Sequence, residues 1–177
     1  MGKSSFVASI LAVGCFVAMS MLTPSIGTAR TAQMSDVKAS MTDLKAQTAK
    51  LGAPKIEGTA TVAGKEVPEL HFGSTKMDND FKVVDAVTKR HGGTATLFVK
   101  SGDEYVRVTT NVKKADGSRA TGTILDPKGR VIKMINKGEA YYGEANILGK
   151  QYVTGYAPIK DASGNVIGIY YVGYMQQ

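Results

Sequence analysis

Polar side chains recur at every second position in the segment RVTTNVKKADGSRATGTIL, residues 107 to 125. Alternate side chains of an extended strand share one face, so Arg107, Thr109 and Asn111 would lie together. A guanidinium can hold a carboxylate through two parallel hydrogen bonds, and hydroxyl and amide groups beside it can bind further ligand atoms. The pattern is typical either of a solvent-facing strand or of a site for a small anion.

The turn inside this segment predicts which residues of the two strands face each other. Ala115-Asp116-Gly117 suits a three-residue connection whose last residue is left-handed, a conformation that glycine adopts freely. This turn pairs Lys114 with Ser118. Counting inward, Asn111 then opposes Thr121, and Thr109 opposes Thr123. The sequence therefore predicts one polar face, which comprises Arg107, Thr109, Asn111, Arg119, Thr121 and Thr123.

The elements that position this hairpin follow from hydrophobic periodicity. A three-four spacing of apolar residues predicts one helix over residues 30–52, with a narrow apolar seam that packs on its own domain or on a partner. From Pro54 onward, short alternating runs punctuated by glycine predict strands, with short helices beginning at Asn79 or Asp80 and at Asp126. This order indicates an α+β fold with a mainly antiparallel sheet. The seam consists of Met34, Val37, Met41, Leu44, Thr48 and Leu51.

The first residues have the composition of a secretory signal. Lys3 precedes an apolar run over residues 6–22, and Gly27 and Ala29 have the spacing that signal peptidase prefers. We therefore predict a signal peptide over residues 1–29, cleaved near Ala29, and a periplasmic or secreted protein. The alternative is an uncleaved segment that anchors the protein in the inner membrane, because an apolar run of this length lies at the short limit for spanning a bilayer.

Composition argues against several classes of protein. The single cysteine lies in the apolar run, so the predicted mature chain has no disulfide or thiolate chemistry. His71 and His91 have no third ligand at a recognisable spacing, so we expect no metal site. Catalytic and cofactor motifs are absent from the sequence, so we expect neither an enzyme nor a bound cofactor. The net charge of +7 falls to +6 without Lys3 and favours anions, but its scattered distribution argues against nucleic acid.

Three separated segments resemble the Cache domain, the extracytoplasmic ligand-sensing module of bacterial chemoreceptors and histidine kinases. They are VAGKEVPELHFG, DFKVVDAVTKRHGGTATLFVKSGDEYVRVTTNVKKADGSRATGTILD and KGEAYYGEANILGKQYVTGYAPIKDASGNVIGIYYVGY. Together they cover nearly all of residues 60 to 174, in the order that the family shows. The resemblance implies a PAS-like antiparallel sheet with the long N-terminal helix on one face and a small-molecule pocket on the other. Residues 53–177 would form the sensor domain, in one globular unit with the helix of residues 30–52.

The resemblance also implies a function and a set of site residues. Family members commonly recognise organic acids, amino acids or other anions, which suits the polar face described above. We therefore expect a non-catalytic protein that binds a small anionic metabolite, with a membrane receptor or histidine kinase as a further partner. The residues expected to bind the ligand are Arg107, Thr109, Asn111, Arg119, Thr121 and Thr123, with Tyr141, Tyr152 and Tyr156 as walls.

A second hypothesis assigns the protein no ligand. The pocket would be vestigial, and the apolar seam of the first helix would dock on a membrane receptor or kinase, or on a second copy to form a homodimer. In receptors of the family the last strand leads into a membrane helix, whereas GIYYVGYMQQ stops at Gln177. Under either hypothesis we expect this chain to act as a free binding protein or through a partner.

Overall fold

The computed structural model describes residues 1–2 and 33–176, so the predicted signal peptide lies almost wholly outside the described residues. The helices are α1 (Met34–Ala49), α2 (Lys82–His91) and α3 (Arg130–Asn136). The strands are β1 (Pro54–Val62), β2 (Lys65–Phe72), β3 (Thr75–Lys76), β4 (Thr94–Ser101), β5 (Glu104–Thr110), β6 (Tyr141–Ile147), β7 (Lys150–Lys160) and β8 (Val166–Met175). None of the described helices is long and apolar enough to cross a membrane.

Two antiparallel sheets carry the fold. Three strands pair in the order β1-β2-β3, and five pair in the order β5-β4-β8-β7-β6. The α+β class and the PAS-like arrangement with an N-terminal helix are confirmed, although the pattern predicted one sheet rather than two.

The five-stranded sheet is covered on both faces. Alternate residues of its strands belong to two separate apolar clusters, as the pleat requires. One cluster joins β4, β5 and β8 to α1, α2 and the three-stranded sheet, and we name this the helix face. The other joins the same strands to α3 and to β6 and β7, and we name this the pocket face. A side chain on either face therefore meets protein rather than open water.

The apolar seam of α1 packs on the helix face of its own domain. Val37 and Leu44 are fully buried there, and Met41 is 2% exposed. Thr48 Oγ1 donates to the Tyr170 hydroxyl at 3.4 Å, which fixes the helix above β8. The core-packing interpretation of the seam is thus confirmed, and the hypothesis of a docking or dimer seam loses the observation that motivated it. The helix is capped by Gln33 and is shorter than the range predicted from residues 30–52.

One predicted strand and the predicted start of one helix were wrong. The segment of residues 118–125 is not a continuous strand, because a turn at Gly122 interrupts its pairing with β5 and leaves only the isolated bridges Lys113–Arg119 and Val106–Ile124. The third helix begins at Arg130 rather than beside Asp126. Asp126 instead closes a turn, in which its Oδ1 accepts from Lys128 N at 2.9 Å and its carbonyl accepts from Gly129 N at 3.2 Å.

Candidate ligand-binding site

A β-bulge in β5 divides the predicted polar face. Leu97 pairs with Thr109 and Phe98 pairs with Arg107, so Val108 is an extra residue without a partner in β4. One extra residue reverses the alternation of side chains beyond it. Arg107 therefore lies on the pocket face with Phe98, and Thr109 lies on the helix face with Leu97. The prediction that these two side chains share one surface was wrong.

Two predicted site residues hold α2 on the sheet. Thr109 Oγ1 donates to the carbonyl oxygen of Asp80 at 2.6 Å, just before α2 begins. Asn111 Nδ2 donates to Val84 O at 3.0 Å, and Asn111 Oδ1 accepts from Ala95 N at 2.7 Å. All these partners belong to the protein itself. The polarity of Thr109 and Asn111 is accounted for by structure.

Arg119 is also fully engaged on the helix face. Its Nη1 and Nη2 donate to the two carboxylate oxygens of Asp85, each at 2.8 Å. Nη1 further donates to Thr110 O at 2.8 Å, and the guanidinium lies 4.2 Å from the centre of the Phe81 ring. Arg119 thus attaches the segment of residues 118–125 to α2, through the kind of bidentate pair that was expected for a ligand.

The register predicted for the hairpin holds at its turn and fails further along. Lys114 N donates to Ser118 O at 2.9 Å, as predicted. Beyond Ala120 the chain makes a tight turn in which Gly122 takes a φ of +77°, where a side chain would be strained. The turn places Thr123 beside Arg107, whereas the predicted register placed Thr123 opposite Thr109. Arg107 N donates to Thr123 O at 2.9 Å. Thr121 lies half-buried in this turn.

Arg107 differs from Arg119 in having no negative partner. It is only 3% exposed, and its Nη1 donates to Thr123 Oγ1 at 2.7 Å. Its Nε is buried with no acceptor, and no carboxylate of the described residues forms an ion pair with it. The guanidinium lies 4.9 Å from the centre of the Phe98 ring, a favourable contact for a cation. Burial lowers the pKa of Arg107, because leaving water disfavours the charged form.

Arg107 lines a cleft of about 340 Å³ on the pocket face. The cleft lies between β6, β7, the start of α3 and the chain that precedes it. Tyr156, on β7, is 1% exposed, and its hydroxyl makes no hydrogen bond to another described residue. Burial raises the pKa of Tyr156 well above the ordinary range, so its hydroxyl stays protonated and can donate. The lining comprises Arg107, Ile124, Leu125, Asp126, Gly129, Arg130, Val131, Tyr141, Glu144, Ala145, Asn146, Ile147, Leu148 and Tyr156.

The two carboxylates at this cleft have partners within the protein. Asp126 is exposed and accepts from the backbone of its own turn, as described above. Glu144 is exposed, and its Oε1 accepts from Gln176 Nε2 at 3.2 Å. Tyr141 donates its hydroxyl to Glu144 O at 2.7 Å, and its ring lies 6.3 Å from that of Tyr156. In the buried part of the cleft, the Arg107 guanidinium and the Tyr156 hydroxyl can therefore donate to a ligand.

The structure brings only some of the predicted site residues together. Arg107, Tyr141 and Tyr156 line the cleft, and Thr123 supports Arg107. Tyr152 lines a second cleft on the other side of the β6–β7 turn. The apolar walls were not predicted as site residues. They are Ile124, Leu125, Val131, Ala145, Ile147 and Leu148, and the spacing around Val131 indicated only a packed helix.

Comparison with known families agrees with this geometry. The sequence matches the Cache 3/Cache 2 fusion domain over residues 24–177. The chain belongs to this family. Cache domains are extracytoplasmic sensor modules that bind small molecules and occur in receptors and kinases. No curated protein matches the sequence.

Proposed function

We propose that this Cache protein is an exported, non-catalytic sensor that binds a small organic anion in the cleft at Arg107. The single observation that carries the proposal is the buried guanidinium without a carboxylate partner. An unpaired charge removed from water is costly, and proteins rarely keep one without a counter-charge. A ligand carboxylate would supply the counter-charge and accept from the free Nε.

The lining favours a monoanion with an apolar body. Arg107 and Tyr156 offer donors at one part of the cleft, and six of the other twelve lining residues are aliphatic. An amino acid would also bring an ammonium group, but the two carboxylates at the cleft, Asp126 and Glu144, are exposed, so solvent screens the attraction that they offer. A dicarboxylate would need a second buried cation, whereas Arg130, the other arginine at the cleft, is exposed. A saturated or aromatic monocarboxylate fits these groups best.

A thermal-shift series on the purified protein tests the proposal. The probes are the straight-chain monocarboxylates from acetate to hexanoate, each beside its amide and its amine of the same length. We expect a rise in melting temperature with at least one carboxylate and with neither of its analogues, because only the carboxylate pairs with Arg107. Equal shifts for carboxylate, amide and amine, or a response unchanged in Arg107→Met, would contradict the site.

The proposal places the binding site outside the cytoplasm. It is supported by the family, whose domains are extracytoplasmic, and by the signal-like composition of residues 1–29. The protein would be released by cleavage near Ala29 and would pass its ligand-bound state to a membrane receptor or histidine kinase. Mass spectrometry of the protein recovered from a bacterial host gives its mature N-terminus. A chain that keeps residues 6–22 would instead support the anchored alternative.

A further inference from the structure

One end of the molecule combines exposed apolar side chains with unpaired lysines. The side chains of Leu148 and Met175 are 50% and 49% exposed. They line the second cleft together with Lys113, Lys114 and Lys150. We name these five residues the tip. They come from the β6–β7 turn, the end of β8 and the loop after β5, so three separate segments build one surface.

Leu148 is held in a conformation that disfavours its residue type. Its φ is +51° and that of Gly149 is +87°, the values of a two-residue hairpin turn. Such turns prefer glycine, asparagine or aspartate, because a larger side chain is strained at positive φ. Leucine here is therefore unfavourable both for the turn and for solvation. Because Leu148 is unfavourable in both respects, we infer that it contacts something outside the described domain.

The three lysines of the tip have no ion-pair partner among the described residues. All three are exposed. Asp116, which lies two residues from Lys114, is occupied by its own turn, where it accepts from Ser118 N at 2.9 Å. No acidic residue lines the cleft between the lysines. The tip therefore presents positive charge around an apolar centre.

The chain enters the described domain at this same end. Tyr174, next to Met175, shares a hydrogen bond of 2.5 Å with Ser40 in the first half of α1, whereas Tyr170 contacts Thr48 near the helix end. α1 thus runs antiparallel to β8, and its first residue lies at the level of the tip. The apolar run of residues 6–22 precedes this point in the sequence.

We propose that the tip docks on an anionic lipid surface. Lysines near such a surface are attracted to its headgroups, and an exposed leucine and methionine can enter the boundary between headgroups and acyl chains. The end of the domain at which α1 begins would face the membrane. Arg107 faces a separate cleft on the other side of the β6–β7 turn, so the three lysines of the tip lie outside the ligand cleft, and Leu148 is the tip residue that borders both clefts.

A fluorescent reporter beside the tip tests this proposal. The protein from Arg30 onward, the form that cleavage near Ala29 would leave, contains no cysteine, so Gln151→Cys introduces a single thiol for a dye whose emission rises in an apolar environment. Vesicles contain either phosphatidylcholine alone or phosphatidylcholine with a third of phosphatidylglycerol. We expect the emission to rise only with the anionic vesicles. Because each lysine near such a surface contributes about fivefold, Lys113→Ser/Lys114→Ser/Lys150→Ser should need about 100-fold more lipid for the half-maximal response.

Two control variants separate docking from general charge and from folding. Lys65→Ser/Lys89→Ser/Lys133→Ser removes the same charge from exposed lysines outside the tip and should respond as the parent does. Leu148→Asn relieves the turn, so it should fold at least as well, and it should weaken the response. Equal loss in both triple variants, equal emission with both kinds of vesicle, or a response to soluble polyglutamate but not to vesicles would overturn the proposal. The last result would indicate an acidic protein partner.

Discussion

Each face of the five-stranded sheet is in contact with one buried or half-buried arginine, and these two arginines differ in their bonding partners. On the helix face, Arg119 has both carboxylate oxygens of Asp85, a backbone carbonyl and an aromatic ring as partners. On the pocket face, Arg107 is more deeply buried and has one threonine hydroxyl and one ring. Arg119 therefore stabilises the fold as it stands, whereas Arg107 lacks a counter-charge.

The same contrast extends to the neighbouring polar groups. Asn111 and Thr109 bond to the ends and carbonyls of α2, so the helix face satisfies its donors internally. On the pocket face the Arg107 Nε is buried with no partner among the described residues, and the Tyr156 hydroxyl lies at the cleft. Since buried polar groups are normally paired, the difference separates side chains that build the domain from those available to a ligand. Substitutions on the two faces should therefore affect different measurements.

Arg107→Met should produce the largest effect, and on affinity rather than on stability. Loss of a charge-assisted pair costs about 1.5–3 kcal/mol, or about 10- to 150-fold in affinity for the best monocarboxylate. The free energy of unfolding without ligand should be unchanged or higher, because an apolar side chain replaces an uncompensated buried charge. Calorimetric titration and urea unfolding measure the two quantities. A variant that loses stability and keeps its affinity would reverse the assignment of the two faces.

Asn111→Ala should reduce stability and leave affinity unchanged. The substitution leaves Ala95 N without its acceptor and removes a donor to Val84 O, and an unsatisfied buried group costs about 1–3 kcal/mol. Urea unfolding should show a loss of about 2 kcal/mol, and the affinity for the carboxylate should stay within twofold of the parent. A tenfold loss of affinity in a folded Asn111→Ala protein would place Asn111 in the site after all.

Arg119→Met should be the matched counterpart of Arg107→Met. Its ion pair with Asp85 is partly exposed, with side chains 26% and 45% accessible, so solvent screens the attraction. We expect a loss of about 1 kcal/mol in the free energy of unfolding, reduced at high salt, with the ligand affinity retained. The comparison fails if both methionine variants weaken binding to the same extent.

Asp78 is an exception on the well-paired side of the molecule and should make stability depend on pH. Its Oδ2 accepts from Leu70 N at 3.0 Å, its Oδ1 is buried without a partner, and burial raises the pKa of Asp78 to about 6. The folded state then binds this proton more tightly than the unfolded state, whose pKa lies at the ordinary 3.8. The contribution of Asp78 to stability is therefore fully present below the unfolded pKa and is lost as the pH rises through about 6.

Unfolding of the parent and of Asp78→Asn at pH 5 and pH 7.5 measures this contribution. The parent should lose stability, relative to the variant, between the lower and the higher pH. A parallel change in both proteins would show that Asp78 does not titrate in this range. The ligand affinity serves as the control, since Asp78 lies outside the Arg107 cleft and should not alter it.

Periodicity and turn chemistry predicted most of the fold. The seam of α1, the strands after Pro54 and the turn that pairs Lys114 with Ser118 all follow local rules, and they appear in the structure. The bulge at Val108 does not follow from RVTT, because it is defined by pairing with β4 rather than by the residues of β5. One unpaired residue then moved Thr109 and Asn111 to the other face.

Only part of the candidate site could be predicted, again because contacts between distant segments are not visible in the local sequence. Arg107 follows from the pattern of the hairpin, and Tyr141 and Tyr156 follow from the family resemblance. The distinction between Arg107 and Arg119 depends on Asp85, which lies 34 residues from Arg119 and signals nothing in the sequence. The aliphatic walls also have no chemical signature of their own. Only the three-dimensional pairing of charges shows which arginine is free.

The central claim is that the Arg107 guanidinium is a free donor that a ligand carboxylate engages. The Nε–H resonances of a 15N-labelled protein, assigned through Arg107→Met and Arg119→Met, report this directly. On titration with the monocarboxylate that gives the largest thermal shift, the Arg107 Nε–H signal should move downfield and the Arg119 signal should stay in place. An Arg107 signal unaffected at a carboxylate concentration that raises the melting temperature would contradict the account.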